Sequence, residues 1–133
     1  CESVGFDTTS RTVFLLTKQS NPLCEAYALE WPDRSASSRL EVARFVAKLQ
    51  VQAATAMDIS SDGRRAIVAT YGPGFEFVRG KVEGWDTAFR RPGRPIFLPF
   101  RRQGESICYG PDGKTIYATS EKRPTPLFSI PNR

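Results

Sequence analysis

Three stretches of this chain can be laid over one another, and that repetition limits the possible folds more than any other feature. ESVGFDTTSRTVFLLT begins at Glu2, TAMDISSDGRRAIVAT at Thr55 and ESICYGPDGKTIYATS at Glu105, a period of about fifty residues. Apolar residues recur in register: Val4, Met57 and Ile107, then Phe6, Ile59 and Tyr109, then Val13, Ala66 and Ile116. Asp62-Gly63 and Asp112-Gly113 stand in the middle of two copies, and Thr9-Ser10 in the first. Alternating apolar residues on both sides of a turn whose glycine tolerates positive φ predict one β-hairpin per copy. A third extended segment follows each hairpin, at 26–30, 75–78 and 126–130, and a fourth follows in the first two copies, at 40–47 and 95–100. The stretch 38–49 also fits helical spacing, with Leu40, Ala43, Val46 and Ala47 on one face. Its β-branched and aromatic residues Val42, Phe45 and Val46, and its place in the repeat, favour a strand.

Four antiparallel strands per repeat of this length build the blade of a β-propeller. Gly110-Pro111-Asp112-Gly113-Lys114-Thr115-Ile116-Tyr117 and Ser60-Ser61-Asp62-Gly63-Arg64-Arg65, with a looser match at 7–14, resemble the Pro-Asp-Gly blades of lactonase-like, esterase-like and other bacterial propellers. The resemblance covers nearly the whole chain. It implies an all-β partial propeller of about three four-stranded antiparallel blades, at 1–50, 51–102 and 103–133, the last lacking its outer strand. Trp85-Asp86 falls in a loop of the second blade and is read as chance rather than as a blade-closing signature. Rings of this kind close with roughly four to eight blades, so three blades leave two open flanks. The remaining blades are expected from the same precursor or from another chain, with self-association as the runner-up.

Because one blade type serves hydrolases, dehydrogenases and plain interaction platforms, activity has to be argued from individual residues. The chain has no histidine, which excludes Ser-His-Asp and Cys-His chemistry, His-ligated zinc and a His-driven pH switch. Cys1, Cys24 and Cys108 are far apart with no CxxC pair, which suits neither zinc nor a disulfide framework and favours three free thiols. No apolar run approaches the roughly 18 to 20 residues of a membrane span. The scattered cysteines and the N-terminal Cys lean towards a bacterial periplasmic, envelope or secreted setting.

Two sets of equivalent positions carry the candidate sites. Glu2, Thr55 and Glu105 precede the innermost strands, so the carboxylates of Glu2 and Glu105 are expected to converge near the channel. The resemblance to calcium-dependent lactonase-like propellers implies calcium as a possible cofactor there; otherwise none is expected. Lys18, Tyr71 and Glu121 end the second strands and are expected at the same mouth, where they suit a polar ligand. The net charge of +5 is concentrated in Arg90, Arg91, Arg94, Arg101 and Arg102. Interrupted by Pro92, Gly93, Pro95 and Pro99, this segment reads as a solvated connection whose charges protect an edge strand, in preference to a nucleic-acid surface. The expected function is a scaffold that offers its channel mouth to a protein or small ligand. The alternatives are a metal-dependent lactonase- or esterase-like hydrolase and nucleic-acid binding through the 90–102 segment.

Overall fold

A computed structural model of the chain describes residues 1–20, 23–31 and 40–132. Three antiparallel sheets follow one another along the sequence. The first contains β1 (Ser3–Asp7), β2 (Thr12–Leu16), β3 (Glu25–Glu30) and β4 (Arg44–Lys48) in that spatial order. The second contains β5 (Ala56–Ile59), β6 (Arg65–Ala69), β7 (Gly74–Val78) and β8 (Arg94–Ile96), with a one-turn helix α1 (Trp85–Ala88) between the last two. The third contains β9 (Ser106–Tyr109), β10 (Ile116–Thr119) and β11 (Phe128–Ile130). Each sheet is an unbroken meander, because every connection joins strands adjacent in sequence and in space.

Local chemistry accounts for the hairpins. Gly63 and Gly113 both take φ of +64°, a left-handed conformation that costs glycine little. The preceding aspartates hold the turns. Asp62 Oδ1 accepts from the Arg64 N–H and the Ser60 hydroxyl, and Asp112 accepts from the Lys114 and Thr115 N–H groups and from the Thr115 hydroxyl. The Thr115 hydroxyl and those N–H groups hold the Asp112 carboxyl down at about 2. The turn of the first hairpin has no glycine, so Arg11 adopts the positive φ, and Asp7 accepts from Thr9 and Ser10.

The strand periodicity of two sends alternate residues to opposite sheet faces. β1, β5 and β9 lie side by side as the innermost strands. One core fills the space between the first two sheets: Phe14, Leu16, Ala26 and Ala28 meet Met57, Ile59, Ala66, Val68 and Phe77. A second core joins Ala56, Ile67, Ala69, Ile96 and Leu98 to Ile107, Ile116 and Ala118 of the third sheet. Gly5 permits the close approach of the inner strands, since a Cβ there would stand 3.1 Å from Met57 Cγ.

Among the described residues, the outward face of the first sheet has no such cover. Its registered rows are Val4, Leu15, Tyr27 and Phe45, and Phe6, Val13 and Leu29. Val4 is 58% exposed and Phe6 38%, whereas the equivalent Met57 and Ile59 are buried.

Several elements depart from the sequence reading at their ends. β4 starts at Arg44 rather than at 40, β8 covers Arg94–Ile96 rather than 95–100, and β11 starts at Phe128 rather than at 126. Pro126 and the prolines at 95 and 99 lack the N–H a ladder needs, which confines strand pairing around them. Within 38–49, residues 44–48 form a strand, and 38 and 39 lie outside the described residues. Trp85, assigned from sequence to a loop, instead opens α1 and is buried in the first core.

Candidate functional site

The loops entering β1 and β9 and the turns leaving β2, β6 and β10 lie at one end of the sheets, because successive antiparallel strands return the chain to the same edge. Lys18 stands at the centre of this mouth. Its ammonium donates to Glu2 Oε2 at 2.5 Å and to the Tyr71 oxygen at 2.8 Å, lies 4.0 Å from Glu105 Oε1, and sits 4.9 Å above the Tyr71 ring. The Tyr71 hydroxyl donates to Glu105 Oε1 at 2.8 Å, and Glu105 also receives hydrogen bonds from Glu121 and Gln103. Glu2, Lys18, Tyr71, Glu105 and Glu121, which the repeat placed at equivalent positions, therefore form one connected network. Gln103 was not singled out in the sequence, since it belongs to no repeating set.

The charges at the mouth are unequal. The hydrogen bonds that Lys18 donates to Glu2 and Tyr71 raise its pKa, so the ammonium is permanent at neutral pH. The Tyr71 hydroxyl, with Glu121, lowers the Glu105 pKa, while the hydrogen bond and charge of Glu105 raise that of Glu121. Of this pair, Glu121 holds its proton longer than Glu105 and donates it to its neighbour. Three carboxyl groups face one ammonium.

Where the resemblance implied a calcium ion between Glu2 and Glu105, the Lys18 ammonium stands against both carboxylates. Among the described residues, no three carboxylate or thiol groups gather as metal ligands.

Below the mouth, a cavity of about 280 Å³ runs along the inner strands between Glu2, Glu105, Val4, Met57 and Ile107. Beside the mouth, a groove of about 370 Å³ is lined by Tyr71, Pro73, Phe97, Leu98 and Phe100.

The five arginines of the 90–102 segment are not one surface. Arg91 pairs with both Glu83 oxygens and donates to the Val78 carbonyl; Arg91 and the Gly80 N–H together hold the Glu83 carboxyl down at about 2. Arg94 donates to Glu76 and Asn132. Arg101 is buried, which lowers its pKa, and donates to the carbonyls of Thr70, Gly72 and Pro99. Arg90 and Arg102 are exposed.

Other polar groups join the sheets to each other. Asp58 of β5 accepts from the Tyr109 N–H of β9 at 2.7 Å, and Thr55 donates to the Gly104 carbonyl at 2.6 Å. All three cysteines are free thiols. Among the described residues, no helix is long and apolar enough to cross a membrane.

No family model matches the chain, and no curated protein matches it in sequence. Solved structures do. The chain is similar to one in the crystal structure of a nidogen/laminin complex, with a TM-score of 0.65 at 10% identity over 97% of this chain and 43% of that one. It is similar to Kuenenia stuttgartiensis hydrazine synthase with a TM-score of 0.65 at 15% identity over 98% of this chain and 33% of that one. It therefore spans less than half the length of both. At these identities the likeness establishes the fold alone, and with the three successive meanders it shows an all-β partial propeller whose third blade has three strands among the described residues.

Proposed function

We propose that the chain is a scaffold arc of a β-propeller, extended at its first sheet by further blades from the same precursor or another chain, with its mouth offered to a ligand. The observation that supports this reading most is the outward face of the first sheet. Val4, Phe6, Val13, Leu15, Tyr27 and Leu29 occupy the positions that in the second and third sheets are packed against the preceding blade. A contiguous apolar sheet face of this kind marks an interface. Its chemistry suits the small-residue face of another blade, as Gly5 and Ala26 meet Met57 and Val68 within the chain. That one structural neighbour belongs to a nidogen/laminin complex is in keeping with an interaction role.

Phe6→Asp places a charge on this face without touching the internal cores. In light scattering, the native assembly is expected to exceed the 14.8 kDa of one chain, and the variant is expected to fall to that mass with an unchanged circular dichroism spectrum. A native particle of one chain's mass whose β1 and β2 amides nonetheless exchange slowly would refute the scaffold-arc reading.

A further inference from the structure

The two contacts between successive blades follow one pattern. Towards the following blade the innermost strands present short side chains, Ser3 and Gly5 on β1, then Ala56 and Asp58 on β5. Towards the preceding blade they present larger ones, Met57 and Ile59 on β5, then Ile107 and Tyr109 on β9. The larger pair of one strand seats on the short pair of the one before. A Cβ on Gly5 would stand 3.1 Å from Met57 and 3.4 Å from Ile59, and Asp58, the equivalent of Gly5, accepts from the Tyr109 N–H.

Both halves of a third such contact are left unused on the same chain. At one end Val4 and Phe6, the larger pair of β1, are 58% and 38% exposed. At the other end Ser106 and Cys108, the short pair of β9, are exposed. Strand register sets Tyr117 and Thr119 beside them on that face, and with Leu127 these residues surround a hollow of about 210 Å³. Cys108 stands where Gly5 and Asp58 stand, so the side chains it is built to meet are those of positions 4 and 6. Two copies joined head to tail fill both ends at once, whereas two identical first sheets set face to face would leave the hollow at each far end empty. Two arcs of three blades make six, within the range over which such rings close.

We infer that two copies of this chain close head to tail into a six-bladed ring, with Val4 and Phe6 of each seated on Ser106, Cys108 and the adjoining hollow of the other. The inference rests on the outward face of the first sheet being an interface, and it names what covers that face.

The test combines light scattering with the chemistry of the native Cys108 thiol. A single species of twice the mass of one chain is expected. Iodoacetamide labelling of Cys108, followed by peptide mass, is expected to be at least about tenfold slower in the native chain than in Phe6→Asp, because the ring covers this thiol. The buried Cys24 should stay slow in both, which shows that the variant is folded. In a Cys1→Ser background, Val4→Cys is expected to oxidise to a disulfide with Cys108 of the second copy, linking two chains and no more. A native mass other than two chains, equal labelling of Cys108 in the two proteins, or oxidation that joins the introduced thiols to each other or leaves Cys108 unbridged would each overturn the ring. Equal labelling, or the wrong bridge, in an assembly that Phe6→Asp still dissociates would remove the head-to-tail ring and leave the scaffold reading in place, so the two claims fail separately.

Discussion

Trp85→Ala is expected to lower the unfolding free energy by about 3 to 5 kcal/mol, the usual cost of removing a large buried aromatic. Trp85 is 4% exposed, stacks on Phe89 with ring centroids 4.9 Å apart, and meets Phe14 edge-on at 6.1 Å. Phe89 in turn contacts Phe77 and Phe14, so one indole connects the first sheet, the second sheet and the loop between β7 and β8. The indole N–H donates to Asp7 Oδ2 at 2.9 Å, and the Arg79 guanidinium lies over the ring and 3.4 Å from the same carboxylate. Urea unfolding measures the loss, and a change below about 1.5 kcal/mol would show that the cavity collapses or that the clamp is peripheral.

The same clamp gives an acid dependence with a definite sign. Burial disfavours the Asp7 carboxylate, but hydrogen bonds from Thr9, the Trp85 indole and Ser10 outweigh it, so the folded-state pKa lies below the ordinary aspartate value. A depressed carboxyl stabilises the fold above its unfolded pKa, and that contribution is lost as pH falls through the folded value. Stability of the native chain should therefore drop from about pH 4 downward, and Asp7→Asn should be less stable at neutral pH with a flatter acid limb. Parallel acid limbs in the two proteins would remove Asp7 from this role.

Glu76→Ala is expected to cost about 3 kcal/mol, chiefly through the donors it leaves without an acceptor. Glu76 is 3% exposed; its Oε1 accepts from the Tyr109 hydroxyl at 2.9 Å and from Asn132 Nδ2 at 2.6 Å, and its Oε2 from Arg94 at 2.5 Å. Burial, with the charge of Glu76, raises the Tyr109 pKa, so the phenol remains a donor throughout the neutral range. Tyr109 and Asn132 would be stranded in the interior, while the half-exposed Arg94 regains water and contributes little. Because the cluster ties the second blade to β9 and to the chain beyond β11, faster amide exchange in the third sheet should accompany the loss in a denaturation curve. A variant within about 0.5 kcal/mol of the native chain would mean that water satisfies these donors.

What could be read from the residues was what local chemistry decides. Period-two alternation and Asp-Gly turns act within a few residues, so the hairpins of all three blades were visible, and equivalent repeat positions brought Lys18, Tyr71 and Glu121 to the same end as Glu2 and Glu105. Strand ends were less clear where prolines and charges at 90–102 and 40–44 leave pairing to the neighbouring strand.

Contacts between distant residues were not readable. Trp85 meets an aspartate 78 positions earlier, Glu76 meets an asparagine 56 positions later, and Arg101 lies inside although its neighbours suggest a solvated loop. No periodicity marks such pairs, because they arise only when one blade packs against the next. Alternation and turn chemistry along the chain set the repeating sheet and the edge of each sheet that carries the mouth. Packing of one blade on the next settles which polar side chains are buried, which are joined, and which apolar face is left uncovered among the described residues, since each depends on the separation and facing of whole sheets.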